Sequence, residues 1–468
     1  MCSVNDEDLD DSVQCMEKKP QLPSIDDQCK KCNEKKAKVV LRVKDAYCND
    51  CFLQAATHKF RAAIGKSKLV RPRDHVLIAF SGSQASATLL HLVQAGLNEA
   101  NHKQGAILNL SSSYRKDLCH DVAQQVKNSR IPLYITTLEN SLDDSPNYFA
   151  YENYTQHISQ EKEEQLKNLF DSVKSVTSKE DLLQKLRNKL LLKVAKHLKC
   201  TKIFTAETTS NLAVKLLSNV SLGRGAQLPL DVGFCDNRDP DIMMLRPMRD
   251  FTSKEVVFYN IFNELESVNI PSLGTKSDAH SSIQKLTEKF VTDLQEDFPS
   301  TVSTIFRTGE KLSIATSDAQ DCCALCQAPL DTTSSESSAI EATEFSRMVS
   351  ALGATGFDTK LMESLNKSDP LQKTLSACEV RNNISDGNNA CKTTYSDKTS
   401  CGATNSCGCK GNTAILTHSQ AETCLCYSCR LITREMVTLD ALPSELTSSI
   451  KHRLRFAEMK KEIEDFLL

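Results

Sequence analysis

No stretch of 18 apolar residues occurs in the chain, so no helix able to span a bilayer is expected. A basic segment followed by an apolar one is also missing from the start. Residues 1–12 carry Asp6, Glu7, Asp8, Asp10 and Asp11 and no base, which predicts no secretory signal. Charge of one sign is lacking too: a net −3 over 468 residues points to no particular partner. Together these absences predict a cytoplasmic chain with no membrane partner. Its length suits two or three domains.

Cysteine, by contrast, is abundant, with twenty in the chain. In a reducing compartment such thiols serve as metal ligands more readily than as disulfides. Cys29-x-x-Cys32 and Cys48-x-x-Cys51 are 15 residues apart, the spacing of a four-thiolate zinc site. Four soft donors fill a tetrahedron, so such a site is structural rather than catalytic. A second set, Cys323-x-x-Cys326 and Cys426-x-x-Cys429, predicts another zinc site across a long gap. Closure entropy grows only logarithmically with loop length, so the gap is tolerable. Cys322 and Cys424 are alternative ligands there, and a redox role for the pairs is the rival reading. Cys119, Cys200 and Cys235 stand alone and read as small buried hydrophobes rather than cluster ligands.

Composition divides the chain. Residues 1–27 form an acidic lead read as disordered, 28–56 an N-terminal zinc module, and 57–73 a basic helix and linker. Residues 74–315 alternate β-like and helical runs and form an α/β domain. Strands are expected at 75–80, 105–110, 132–137 and 202–206, giving a parallel sheet with helices on both faces. A helix is expected over 179–198, started by Ser178 and Asp181, and Thr252 with Glu255 predicts a capping box. Residues 316–330 with 416–440 form a C-terminal zinc module. Between them, 331–415 read as a disordered insertion, with one helix near 341–353. An amphipathic helix over 441–468 aligns Leu446, Ile450, Leu454, Ile463 and Leu467.

The apolar run His75–Phe80 feeds Ser81-Gly82-Ser83-Gln84-Ala85-Ser86 and then a helical run. Strand, small-residue turn and helix together aim backbone N–H groups at a phosphate. The loop resembles the SGGxDS signature of PP-loop ATP pyrophosphatases. Ser81, Gly82 and Ser86 match it; Ser83 stands where the second glycine would be, and Ala85 where the aspartate would be. Ser81, Gly82, Ser83 and Ser86 are therefore the candidate nucleotide contacts of a degenerate loop. Ala85 cannot organise a metal, which weighs against ATP and Mg²⁺ as cofactors of this chain. The alternative is an ordinary turn packed closely by small residues.

An ordered series widens the resemblance: Cys48-Asn49-Asp50-Cys51-Phe52, His58-Lys59-Phe60-Arg61, the loop at 81–86, Leu222-Gly223-Arg224-Gly225-Ala226, Leu245-Arg246-Pro247-Met248-Arg249-Asp250, Cys426-Tyr427-Ser428-Cys429 and Asp465-Phe466-Leu467-Leu468. The chain resembles the cytoplasmic tRNA 2-thiolation protein 2 family. That resemblance implies a heterodimer with a catalytic PP-loop tRNA thiolase, and 2-thiolation of the wobble uridine (5-methoxycarbonylmethyl-2-thiouridine) of tRNA-Lys, tRNA-Glu and tRNA-Gln. It also implies sulfur drawn from a thiocarboxylated ubiquitin-related modifier. The decayed loop makes this chain the tRNA-binding, largely non-catalytic member, with no catalytic residue assigned. In catalytic members an acidic motif lies near 206–211. Here Glu207 is read as a cap on the next helix, with a nucleotide-facing acid as the alternative. Arg224 is left to meet a phosphate or a carboxylate at a subunit interface.

Lys59, Arg61, Lys66, Lys68, Arg71 and Arg73 form the densest basic run and are the candidate RNA contacts. Arg246 and Arg249 rank second. Two rival functions remain at this level: an ATP-dependent tRNA sulfurtransferase in its own right, and a zinc-ribbon interaction protein without tRNA chemistry.

Overall fold

The computed structural model describes residues 28–41, 45–71, 73–97, 104–110, 115–127, 129, 131–143, 148–150, 159–268, 278, 280–298, 300–312, 322–330 and 416–467. The lead at 1–27, the insertion at 331–415 and the helix expected near 341–353 lie outside the described residues, as does the Cys119 side chain. The described residues fall in one compact unit whose chain segments lie on either side of residues 333–414.

The elements begin with a hairpin, β1 (Val39–Val40) and β2 (Ala46–Tyr47), and α1 (Asn49–Ser67). β3 (Val76–Phe80), α2 (Gln84–Leu97), β4 (Gln104–Leu110), α3 (Arg115–Lys127), β5 (Leu133–Thr137) and β6 (Phe149–Ala150) follow. Next come α4 (Gln160–Ser172), α5 (Val176–His197), β7 (Lys202–Phe204), α6 (Thr209–Ser221), α7 (Leu228–Val232), β8 (Cys235–Asp236) and β9 (Met243–Leu245). The remaining helices are α8 (Ser253–Phe262), α9 (Ile283–Asp297), α10 (Thr301–Glu310), α11 (His418–Thr423), α12 (Tyr427–Glu435) and α13 (Ser444–Leu467).

Seven strands form one sheet in the order β6-β5-β4-β3-β7-β9-β8. The inner pairs run parallel; the two-residue edges β6 and β8 run antiparallel. The expected parallel sheet with helices around it is therefore present, trimmed by short antiparallel edges. β3 is central because its side chains are apolar on both faces: Val76, Leu77, Ile78 and Phe80 are buried. It pairs with β4 on one side (Val76 opposite Gln104) and β7 on the other (Val76 opposite Lys202). β3 therefore ends at the point where the chain order reverses, and a crevice opens there in sheets of this type. β9 escapes sequence reading because three residues closely followed by Pro247 show no strand period.

Helix starts follow their caps. The long helix begins at Val176, not 179, and its cap is Ser175, whose Oγ accepts from the Ser178 N–H at 3.1 Å. Ser178 instead donates its hydroxyl to Glu435, and Asp181 is committed to an ion pair described below. The capping box at Thr252 and Glu255 forms as expected. On α13, Leu446 and Ile450 are buried and Leu454 is half-buried, whereas Ile463 is exposed. The amphipathic face is thus packed over the first turns only, and the Leu467 side chain lies outside the described residues. Among the described residues no helix is long and apolar enough to cross a membrane.

Candidate functional site

Both cysteine sets close into four-sulfur clusters, built by the same local device. In the first, Cys29 and Cys32 sit on a tight turn pinched by the Gln28–Lys36 bridge and by the Cys29 N–H bonded to the Lys35 carbonyl at 2.8 Å. Asn33 takes a left-handed φ of 56° to complete that turn. Cys48 precedes α1 and Cys51 lies in its first turn, so the helix N-terminus faces the sulfurs. The second set repeats the plan. Cys323 and Cys326 occupy a turn closed by the Cys322–Pro329 bridge, while Cys426 precedes α12 and Cys429 lies in its first turn.

In each set all four Sγ atoms lie within 4.8 Å of one another. Cys32 and Cys48 Sγ are 3.9 Å apart, and Cys326 and Cys426 Sγ 3.6 Å. Tetrahedral thiolates at about 2.3 Å from zinc stand about 3.8 Å from each other, so the residues fit such an ion. Cys322 is exposed and Cys424 is buried outside the cluster, which removes both as ligand candidates. The thiols are also split in acidity. Burial pushes Cys29 up, but hydrogen bonds from the backbone of Cys32, Cys48 and Lys31 outweigh it and lower the thiol to about 6. Burial and the neighbouring cysteines push Cys51 up to about 12. Cys200 and Cys235 are half-buried, and burial raises both thiols, as expected of inert cysteines.

The second cluster is clamped to the sheet domain. Its cysteines pack in one apolar core with Leu182, Leu186, Leu446 and Ile450. Buried Arg224 donates to Ser428 Oγ beside the cysteines, to Asn219 Oδ1 at 3.2 Å and to Asp181. Asp181 also receives Lys185 at 2.9 Å. Glu435, on α12, accepts from Ser175 Oγ and Ser178 Oγ at 2.7 Å each. Gly223 has φ +71°, and a Cβ there would stand 2.5 Å from the Tyr427 ring, so only glycine lets the chain pass. Arg224 is therefore an internal strut and not a phosphate or interface contact. No sequence signal points to the clamp, because Asp181, Arg224 and Ser428 lie far apart along the chain.

The small-residue loop sits where expected, between β3 and α2. Gly82 has φ +76°, and its carbonyl accepts from the Val268 N–H at 2.8 Å. The loop hydroxyls bond among themselves: Ser81 Oγ lies 3.0 Å from Ser83 Oγ, and Ser86 Oγ donates to the Ser83 carbonyl at 2.9 Å. Ser86 is buried, Ser81 and Ser83 exposed. Glu207 proves not to be a helix cap. It pairs with Lys215 at 2.9 Å and Arg246 at 2.6 Å, while Thr208 occupies the cap position of α6. A neighbouring network holds Asp231 and Asp236 on Arg238. Arg246 is 1% exposed, and Arg249 lies over the Phe306 ring and pairs with Glu310, so neither serves as an RNA contact.

Burial raises the Glu207 carboxyl, but Lys215 and Arg246 overcome this and hold it at about 2. Asp231 is likewise held at about 2, its burial outweighed by Arg238, Lys215 and Arg224. Both folded values lie below the ordinary carboxylate range, so the unfolded chain binds the proton first. The stability these groups contribute is complete above about pH 4.5 and drains as pH falls toward 2. Chemical denaturation followed from pH 6 to pH 2 is expected to show that loss, and Glu207→Gln should flatten it.

Of the six basic candidates, Lys59 is spoken for: it pairs with Glu255 at 2.6 Å and lies over the Phe251 ring. Arg61, Lys66, Lys68, Arg71 and Arg73 are exposed, and none pairs with a carboxylate among the described residues. They lie along α1 and the segment after it, carried by the helix that also supplies Cys51. Phe52 and Phe60, on the same helix, are core residues.

Residues 282–431 match the family model described as cytoplasmic tRNA 2-thiolation protein 2. The chain is 35% identical over 509 residues to cytoplasmic tRNA 2-thiolation protein 2-A of Xenopus laevis, covering 94% of each protein. It is 31% identical over 512 residues to cytoplasmic tRNA 2-thiolation protein 2 of Homo sapiens, covering 95% of this chain and 94% of the relative. Among solved structures, the U34-tRNA thiolase NcsA from Methanococcus maripaludis superposes with a TM-score of 0.49 at 16% identity, over 63% of this chain and 91% of that one.

Proposed function

The chain belongs to the cytoplasmic tRNA 2-thiolation protein 2 family, and from that premise we propose that it is the tRNA-gripping, non-catalytic subunit of a cytoplasmic thiolation complex. Its partner is a catalytic PP-loop thiolase, and the two act as a heterodimer. The reaction replaces the 2-oxygen of the wobble uridine in tRNA-Lys, tRNA-Glu and tRNA-Gln, with sulfur from a thiocarboxylated ubiquitin-related modifier. The loop at 81–86 supports the non-catalytic role. Ala85 has no carboxylate to hold a magnesium ion, and the serine hydroxyls already bond to one another. Zinc is the metal that suits both clusters, held by Cys29, Cys32, Cys48 and Cys51 and by Cys323, Cys326, Cys426 and Cys429. It would stiffen each turn against its helix and leave no open coordination position.

The observation that carries the RNA reading is the set of five cations without a carboxylate partner among the described residues: Arg61 and Lys66 on the helix that starts at the first cluster, and Lys68, Arg71 and Arg73 on the segment that follows it. A rigid cationic surface releases counterions when it meets phosphates, so its contribution shows as salt dependence. Replacing all five by alanine is expected to weaken tRNA binding at every salt concentration. If each meets one phosphate, the slope of log K against log salt falls by about 4. Thiolated wobble uridine in cells carrying the variant should fall with it. Unchanged affinity and slope in a variant of native circular dichroism would remove the RNA reading.

A further inference from the structure

A cavity of about 960 Å³ opens between α5, α6, the turn carrying Cys326 and the start of α13. Residues of the loop at 81–86 do not line it. Its walls carry more cations than carboxylates, and most of those cations are matched: Lys185 to Asp181, Lys196 to Asp239, Lys215 to Glu207, Arg238 to Asp231. Two guanidinium groups are not. Arg453 donates to the Cys322 carbonyl and meets no carboxylate among the described residues. Half-buried Arg187 has neither a hydrogen bond nor an ion pair among the described residues.

An unpaired charge withdrawn from water is destabilising, so a folded chain seldom keeps one without a partner to meet it. Burial alone acts on Arg187 and lowers its pKa, with no carboxylate to reverse the effect. The group most complementary to a planar guanidinium is an oxyanion that accepts two parallel N–H bonds. A second guanidinium, Arg453, in the lining of the same cavity favours a multiply charged oxyanion over a single carboxylate, whereas Lys193 and Lys189 there are already matched to Glu445. Gln184 and Asn188 also line the cavity; Gln184 donates to Asn188 Oδ1 at 3.1 Å, and the amide groups left over suit sugar hydroxyls or a base edge. The volume lies in the range of small-ligand pockets and accommodates a nucleotide.

We propose that this cavity binds a phosphorylated ligand of nucleotide size, with the Arg187 guanidinium gripping the phosphate. The site is separate from the degenerate loop and does not depend on the basic surface of α1. The phosphate belongs either to a free nucleotide or to a nucleotide of an RNA strand, and the chemistry of the grip is the same for both.

The test uses the full-length, metal-loaded chain, with calorimetric titration of inorganic phosphate, AMP and a short single-stranded RNA. AMP is expected to bind, phosphate to compete with it, and Arg187→Met to weaken AMP at least 10-fold. The unliganded melting temperature of Arg187→Met should hold or rise, because an uncompensated charge has been removed. Arg187→Lys keeps the charge and loses the two-pronged geometry, so it should fall between the two. Displacement of AMP by the short RNA assigns the phosphate to RNA; failure to displace assigns it to a free nucleotide. The proposal is overturned if none of the three probes binds the wild-type chain at millimolar concentration. It is also overturned if Arg187→Met binds AMP as the wild type does, or if that variant melts lower without ligand. Loss of AMP binding on replacing Ser81 and Ser83, with Arg187→Met unaffected, would place the ligand in the loop and likewise sink it.

Discussion

If both clusters hold zinc as proposed, serine in place of Cys426 is expected to lower the bound metal from two ions per chain to one and to unfold the segment around the second cluster. Cys426 is buried, and its Sγ lies 3.6 Å from that of Cys326 across the two halves of the site. The four sulfurs come from turns almost 100 residues apart, so an ion held by them would tie those turns together. Structural zinc in small modules contributes apparent free energies of about 10–16 kcal/mol at neutral pH, comparable with the whole stability of a domain. Cys424 will not substitute, since its sulfur lies outside the cluster and beside Thr423 Oγ1 at 3.7 Å. Elemental analysis gives the metal count, and limited proteolysis reads the loss of order around Tyr427–Glu435. Two ions per chain in the variant would show the ligand set to be wrong. The first cluster should survive, because it is built from residues 29–51 alone.

Arg224→Met carries the second large effect, a loss near the lower end of about 3–5 kcal/mol, because it leaves the buried Asp181 carboxylate with Lys185 alone. Arg224 and Asp181 are each less than a tenth exposed, and the guanidinium joins Asp181, Asn219 and Ser428 in one step. Methionine fills the volume and restores none of those bonds. Removing both charges, in Arg224→Met with Asp181→Leu, would be near neutral for an isolated pair. Here Lys185 also depends on Asp181, so the double variant should recover part of the loss and not all of it. Urea unfolding of the two single variants and the double variant measures this, and full additivity would show that the pair does not interact.

The two effects are mechanically linked. α12, which carries Cys429, is held to α5 by Arg224, which joins Ser428 to Asp181, and by Glu435 through Ser175 and Ser178. Weakening the strut should therefore increase proteolytic cutting near α12 even with zinc bound. The first cluster meets the sheet domain through α1, whose Phe52 and Phe60 enter the main core and whose Lys59 pairs with Glu255 on α8.

Much of this was readable along the chain, and the reason is locality. A Cys-x-x-Cys pair is a single turn, so both metal sites could be written from spacing before any fold was known. The apolar run at 75–80 could only be an inner strand, and the Thr252–Glu255 box needed just four residues to form. The site of the small-residue loop followed from the same strand–turn–helix order. Side-chain roles that depend on distant partners were misread from sequence. Glu207 looked like a cap because Thr208 beside it is one; Lys215 and Arg246 claim it only once α6 and β9 lie together. Lys59 looked like one more surface cation until Glu255, 196 residues away, was seen to face it.

Sequence alone thus determined which cysteines gather into two four-sulfur clusters, the α/β alternation and the family, because these reside in short-range spacing and in an ordered series of motifs. Tertiary structure alone decided which charges are spent and which are free. Asp181, Arg224 and Glu207 are consumed inside the protein, whereas Arg187, Arg61, Lys66, Lys68, Arg71 and Arg73 meet no carboxylate among the described residues. A charge is neutralised by whatever folding brings within a few ångströms of it, and no spacing along the chain records that distance.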